Sequence, residues 1–156
     1  MLPRAVATAF LLACLAIWPT GAPANTWQTR VLVDGTGITG VTLGRIKLQL
    51  MCQRGAEREI ASLIAARGFP KHFAKETPVT LEIEMPQGPE RRHSARMVLD
   101  PSGGTLIGNI PLASGFLEDF GNGSVLRIIT NGKVMISSGL RGTGKARSVF
   151  REVCGL

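Results

Sequence analysis

The chain has 156 residues, of which 44% are hydrophobic, and its 18 Lys and Arg against 11 Asp and Glu give a net charge of +7. This length suits one domain, and the apolar content is sufficient for a packed core, which excludes wholesale disorder. Three cysteines, two histidines and no internal repeat exclude a disulfide-dense knot, a multi-zinc module, a solenoid and a large enzyme.

Residues 1–24 have the organisation of a secretory signal peptide. Arg4 is their one charged residue, an apolar stretch runs from Ala5 to Trp18, and Ala22-Pro23-Ala24 supplies the small residues that signal peptidase requires. Cleavage after Ala24 would leave a single periplasmic or secreted domain, residues 25–156, with a net charge of +6. No later segment is long and apolar enough to predict stable membrane insertion.

Two alternatives to cleavage remain open for this leader. An uncleaved membrane anchor is disfavoured, because the apolar stretch is shorter than the ~20 residues that span a bilayer. The sequence Leu11-Leu12-Ala13-Cys14 loosely resembles a lipoprotein signal, in which Cys14 would carry the lipid and tether the protein to a membrane.

Export would place the two remaining cysteines, Cys52 and Cys154, in an oxidising compartment, where paired thiols persist as a disulfide. Closing a loop of roughly 100 residues would stabilise the fold by ~4–5 kcal/mol in the chain-entropy treatment. The alternatives are a redox pair or metal ligands, but there is no C-x-x-C motif and neither histidine is near a cysteine in sequence. We therefore predict a structural disulfide.

In chain order, the first predicted element is a strand over Trp27–Asp34. A second extended segment covers about Val41–Cys52, where apolar and polar residues alternate with the period of a half-buried strand. A helix is predicted for Ala56–Arg67, because acidic residues lie near its start, a basic residue ends it and Gly68 is placed for a left-handed cap. The alternative for this segment is a strand connection.

Strands and hairpins dominate the second half of the predicted fold. Asn131-Gly132 is the strongest hairpin signal in the chain, and Pro111 is tolerated in the first turn of a helix. The elements are strands at Pro78–Met85, Arg91–Leu99 and Thr105–Ile110, a short helix from Pro111 to Phe120, strands at Ser124–Thr130 and Lys133–Ser138, and a helix at Thr143–Cys154. This order predicts an α+β fold: a mostly antiparallel sheet of hairpins with two or three short helices and one disulfide.

The segment from Gly139 to Ala146, GLRGTGKA, nearly matches the phosphate-binding pattern G-x-x-x-x-G-K-[ST] between a strand and a helix. Nucleotide hydrolysis is disfavoured, because Ala146 replaces the magnesium-binding hydroxyl and export removes the protein from the ATP pool. Backbone N–H groups and basic side chains at this helix start could still contact an anionic partner, the alternative being a solvated basic face. The candidate contact residues are Arg141, Gly142, Thr143, Gly144, Lys145 and Arg147.

Glu82, Glu84 and His93 are the residues on which a small hydrolase would depend. The two carboxylates share one strand face, but acid–base catalysis needs such a pair in a cleft that separates their pKa values. Cross-strand ion pairs with the arginines of the next strand explain them more simply. These arginines are Arg91, Arg92 and Arg96. We therefore predict no catalytic residue, no metal site and no cofactor.

The closing part of the chain resembles small exported bacterial proteins of the type VI secretion-associated VasI-like family. The match consists of Phe116-Leu117-Glu118-Asp119-Phe120, the strands that follow, Gly139-Leu140 and the final Cys154, together with Trp27 and Cys52 earlier in the chain. The resemblance implies a strand that ends in Cys, a central hairpin and a closing helix. Because the matching residues are those that a fold needs, they transfer structure more readily than function.

We expect a non-catalytic periplasmic accessory or binding protein that recognises an envelope protein or an anionic envelope component, with a secretion-system association implied by the resemblance. Nucleic acid is disfavoured, because only 5% of residues are aromatic and there is no Tyr to stack on bases. A lysozyme-inhibitor-like protein is the alternative, on the basis of size, export, the disulfide and the Ser138-Gly139 pair. The sequence leaves the oligomeric state open.

Overall fold

The computed structural model describes residues 25–53, 59–66, 68–102, 104–111 and 115–154. Nine strands and two α-helices account for most of them, with one 3₁₀ turn at Lys71–Ala74. The strands are β1 Gln28–Val31, β2 Gly37–Leu43, β3 Ile46–Cys52, β4 Glu59–Ala65, β5 Thr77–Glu84, β6 Arg91–Leu99, β7 Thr105–Pro111, β8 Val125–Thr130 and β9 Lys133–Gly139, and the helices are α1 Phe116–Asn122 and α2 Thr143–Cys154.

All nine strands belong to one sheet with the order β1-β2-β3-β4-β7-β6-β5-β8-β9, and each neighbouring pair is antiparallel. The sheet curls into a half-barrel, and the two helices accompany it. Trp27, just before β1, connects the two edge strands of the sheet, β1 and β9: its backbone N–H donates to the carbonyl of Arg141 at 2.9 Å, and its indole Nε1 donates to the carbonyl of Gly139 at 2.8 Å.

The predicted α+β class is wrong. Because one antiparallel sheet of nine strands dominates the described chain, the fold is mainly β.

The core lies on the concave face of the sheet. It is formed by alternate residues of the strands and by the residues of the two helices that face them. An aromatic cluster forms its centre, because the Trp27 ring meets Phe120 edge-on at 4.9 Å and Phe120 stacks on Phe116 at 5.4 Å. Phe150 of α2 is fully buried and lies against Gly37 of β2, where an added Cβ would be 3.2 Å from the ring. These contacts fix both helices on the sheet.

The helix predicted for Ala56–Arg67 is wrong, because the described part of this segment is strand β4. Ile60 and Ile64 are both 0% exposed. Residues four apart share a face in a helix and also in a strand, so this spacing does not distinguish the two structures. The backbone of β4 is hydrogen-bonded to β3 on one side and β7 on the other, and this pairing outweighs the local preference for a helix.

Several other boundaries differ from the prediction. The extended segment predicted for Val41–Cys52 is interrupted by a turn: it contains the end of β2, then Gly44 with a φ of +61°, then the whole of β3. The helix predicted to begin at Pro111 begins instead at Phe116, and Pro111 is the last residue of β7. The predicted strand Trp27–Asp34 is shortened to β1.

The predictions nearest the C-terminus are confirmed. The β8–β9 hairpin turns at Asn131 and Gly132, whose φ angles of +49° and +71° are those of a tight hairpin turn. Helix α2 has the predicted bounds, Thr143–Cys154, and buries Ala146 and Phe150.

Cys52 ends β3 and is 1% exposed. Its sulfur is disulfide-bonded. The side chain of Cys154 lies outside the described residues, so no complete bridge is seen in the described part of the chain. The pairing of Cys52 with Cys154 therefore stays a prediction. The leader, residues 1–24 with Cys14, also lies outside the described residues.

Candidate functional site

The backbone between β9 and α2 is fixed by contacts with the start of the chain. Gly142 has a φ of +95°, and a Cβ built on it would lie 2.5 Å from the carbonyl oxygen of Trp27. Thr143, 1% exposed, donates its hydroxyl to the carbonyl of Leu140 at 2.7 Å. These residues of the predicted contact segment therefore shape the turn into α2, and the Thr143 hydroxyl is used inside the fold.

The three basic residues of this segment have different surroundings. Arg147 donates to Asn122 Oδ1 at 2.5 Å and lies 3.7 Å from a carboxylate oxygen of Glu118, so it connects α2 to α1. Arg141 and Lys145 are exposed, and no carboxylate of the described residues lies within 4.0 Å of either side chain. Gly144, in the first turn, is half-buried. The structure thus separates a packing residue, Arg147, from two exposed cations that have no acidic partner in the described part of the chain.

The electrostatics around this helix start are one-sided. The N-terminus of a helix carries a partial positive charge, and α2 has no acidic residue in its first turn. From Phe120 to Arg151, both included, the sequence contains six Lys and Arg and no Asp or Glu. The surface at Arg141 and Lys145 is therefore positive and suited to an anionic partner.

The second charged region lies on the outer face of the sheet at β5. Glu82 is only 7% exposed, and its carboxylate is 2.9 Å from a guanidinium nitrogen of Arg92 and 3.3 Å from one of Arg127. Glu84 accepts from Arg127 at 2.6 Å. The hydrogen bond that Arg127 donates to Glu84 is the main reason that the pKa of Arg127 is raised above its ordinary value, with a further contribution from Glu82.

The predicted cross-strand ion pairs are confirmed for Arg92. Arg96 instead lies 3.9 Å from Glu76, and Arg91 is opposite Ile83 in the strand register. Arg127 was not predicted, because it comes from β8, 43 residues after Glu84. The one available signal for this ion pair was the position of Arg127 among the outward-facing residues of an alternating strand.

His93 lies on the opposite, inner face of the sheet. Its side chain is 5% exposed, its Nε2 is 2.8 Å from Asp119 Oδ2, and its ring meets Phe116 edge-on at 5.5 Å. Asp119 could not be predicted as the partner of His93, since it lies 26 residues further along the chain, on α1. Packed between helix and sheet, the pair holds α1 in place.

The outer face also carries a groove across β6 and β7, of about 760 Å³. Val98 and Ile107, 38% and 37% exposed, lie in it, and Arg96 and Glu76 line it with mixed charge. Ser138, which was part of the lysozyme-inhibitor alternative, is 3% exposed and donates its hydroxyl to the Gly139 carbonyl.

No group of three or more His, Cys, Asp or Glu side chains converges as metal ligands in the described ranges. Neither α-helix of the described chain has the length and hydropathy needed to cross a bilayer. No protein-family model, curated protein or solved structure matches the chain. The resemblance to VasI-like proteins therefore remains a prediction.

Proposed function

We propose that this chain is a non-catalytic binding protein of the bacterial envelope that recognises an anionic partner through Arg141 and Lys145 at the start of α2. One observation carries the proposal: these two cations are exposed at the positive end of a helix and have no acidic partner among the described residues. Such an arrangement is mildly unfavourable for the isolated protein, and an anionic partner would relieve it.

The charges elsewhere support this choice of surface. Glu82, Glu84 and Asp119 are each engaged by a basic side chain of the fold, and so is Glu118, which lies near Arg147 and Arg151. Carboxylates held in this way stabilise strand and helix packing. The residues on which a small hydrolase would depend are thus used for structure, whereas the basic surface at α2 is left for recognition.

The test is capture from an envelope extract by the mature, oxidised protein. We expect the double variant Arg141→Glu with Lys145→Glu to lose the captured partner, because it replaces two attractive charges by two repulsive ones. Capture by the unaltered protein should weaken as salt is raised, since exposed charges are screened.

The matched control makes the same charge change at a different place. Lys71 begins the 3₁₀ turn and Lys75 directly follows it; both are exposed, and their double replacement by Glu alters the net charge equally. Capture that is lost equally in both double variants would show a nonspecific charge effect, and capture that survives at Arg141 and Lys145 would exclude this surface.

A further inference from the structure

Strand β9 is the last strand of an open sheet. In the described part of the chain, β8 is the one strand paired with it. One side of the β9 backbone therefore has no strand partner there. Free backbone N–H and C=O groups along such an edge are a template on which another extended chain can pair.

Two hydrogen bonds show which backbone groups face the open side. Leu140 donates its N–H to the carbonyl of Ser124, toward β8, at 2.9 Å. The carbonyl of the preceding residue, Gly139, accepts from the Trp27 indole on the other side. Because successive residues of a strand direct their backbone groups to opposite sides, Ser137 directs its N–H and C=O to the open side, as Gly139 does. Trp27 occupies the Gly139 end, and Ser137 lies next to it.

The available edge is short. The β8–β9 register shifts between Ile128 and Ile129, and such an irregularity bends a strand and interrupts regular pairing. Regular pairing is therefore limited to the part of β9 that follows the shift, around Ser137. Val134, before it, is 54% exposed and adds an apolar contact. Backbone pairing over so few residues needs a second source of affinity.

Charge supplies that second source. Lys133 begins β9, and Arg141 and Lys145 follow its end; all three are exposed without a salt-bridge partner in the described ranges. The strand itself, from Lys133 to Gly139, contains no acidic residue. A second copy of β9 would bring like charges together, whereas an acidic chain is complementary to both ends of the edge.

We propose that the open edge of β9 binds an extended, acidic polypeptide segment as an added strand. Its backbone would hydrogen-bond to Ser137, and its carboxylates would lie near Lys133 at one end and near Arg141 and Lys145 at the other. The two ends of β9, Lys133 and Gly139, are about 20 Å apart along a strand at ~3.3 Å per residue, and Arg141 lies two residues further on. The inference rests on the proposed function and specifies its partner as an acidic peptide rather than an anionic glycan or lipid.

The probe is a synthetic peptide of about nine residues, with alternating threonine and valine between aspartates at both ends, a length that spans the edge at ~3.3 Å per residue. Its binding to the mature, oxidised protein is measured by fluorescence anisotropy. We expect Ser137→Pro to weaken binding at least about tenfold, because proline removes the outward N–H without removing a β8–β9 hydrogen bond. Ser137→Ala keeps that N–H and should bind as the unaltered protein does.

N-methylated peptides test the same bond from the other side and need no altered protein. In a bound strand, every second residue directs its N–H toward β9. Methylation of these residues blocks the N–H groups that pair with β9, whereas methylation of the residues between them does not. We expect the first methylation to abolish binding and the second to preserve it. Equal binding of both methylated peptides would overturn the added strand, as would equal weakening by Ser137→Pro and Ser137→Ala.

The proposed function can fail separately. If the methylated peptides bind equally but the Arg141→Glu, Lys145→Glu variant still loses its envelope partner, the basic surface binds that partner without an added strand. If charge reversal leaves capture from the extract unchanged while the peptide results are as expected, β9 binds acidic strands and the proposed envelope contact at α2 is wrong.

Discussion

The two charged regions of this protein use similar residues for opposite purposes. On the outer face of β5, Glu82 and Glu84 are enclosed by Arg92 and Arg127, and every one of these charges has a partner within 3.3 Å. At the start of α2, Arg141 and Lys145 are exposed and have no acidic partner in the described chain. Charges that hold strands together are thus compensated, and the uncompensated ones are those available to another molecule.

The largest effect that this comparison predicts concerns the backbone beneath the free charges. Gly142→Ala should destabilise the fold by about 3 kcal/mol or more, because the residue has a positive φ and its Cβ would lie 2.5 Å from the Trp27 carbonyl oxygen. Thermal or denaturant unfolding of the mature protein measures the change.

Gly144→Ala is the control for that variant, two residues further on. A Cβ there meets no atom closer than 3.9 Å, and alanine favours a helix over glycine by roughly 0.5–1 kcal/mol. The same substitution should therefore stabilise the protein. If both variants lower stability equally, the turn into α2 is not held by the close contact with Trp27.

A smaller effect is expected at the compensated region. Glu82→Gln should cost about 1–3 kcal/mol of unfolding free energy, because it leaves Arg92 and Arg127 facing an uncharged group that is only 7% exposed. Glu84→Gln should cost less than about 1 kcal/mol, since its side chain is 45% exposed and it pairs with Arg127 alone. Urea unfolding of the two variants gives the difference, and equal costs would contradict the assigned role of burial.

Local chemistry explains which parts of this molecule were predictable. The β8–β9 hairpin follows from Asn131-Gly132, and α2 follows from its apolar spacing, since both signals lie within a few residues. The strand β4 was not predicted, because what makes it a strand is its position between β3 and β7, which no local pattern encodes. The fold is mainly β for two reasons: this segment is a strand and not a helix, and all nine strands pair in one sheet.

The candidate site was predictable in the same unequal way. The basic segment itself was visible in the sequence, but the separation of Arg147 from Arg141 and Lys145 depends on α1, whose Asn122 and Glu118 engage Arg147. Contacts between distant parts of the chain, such as Trp27 with Gly139, likewise arise from the curling of the sheet and not from spacing.

The smallest predicted change in stability is the most informative about function. Lys145→Glu should raise the unfolding free energy by about 0.3–1 kcal/mol, because it replaces a cation near the positive end of α2 by an anion. The same variant should bind the acidic partner more weakly, measured by anisotropy with the peptide probe. A residue whose replacement strengthens the fold and weakens recognition is retained for binding. If Lys145→Glu instead lowers stability, Lys145 has a structural partner and belongs with the compensated charges of β5.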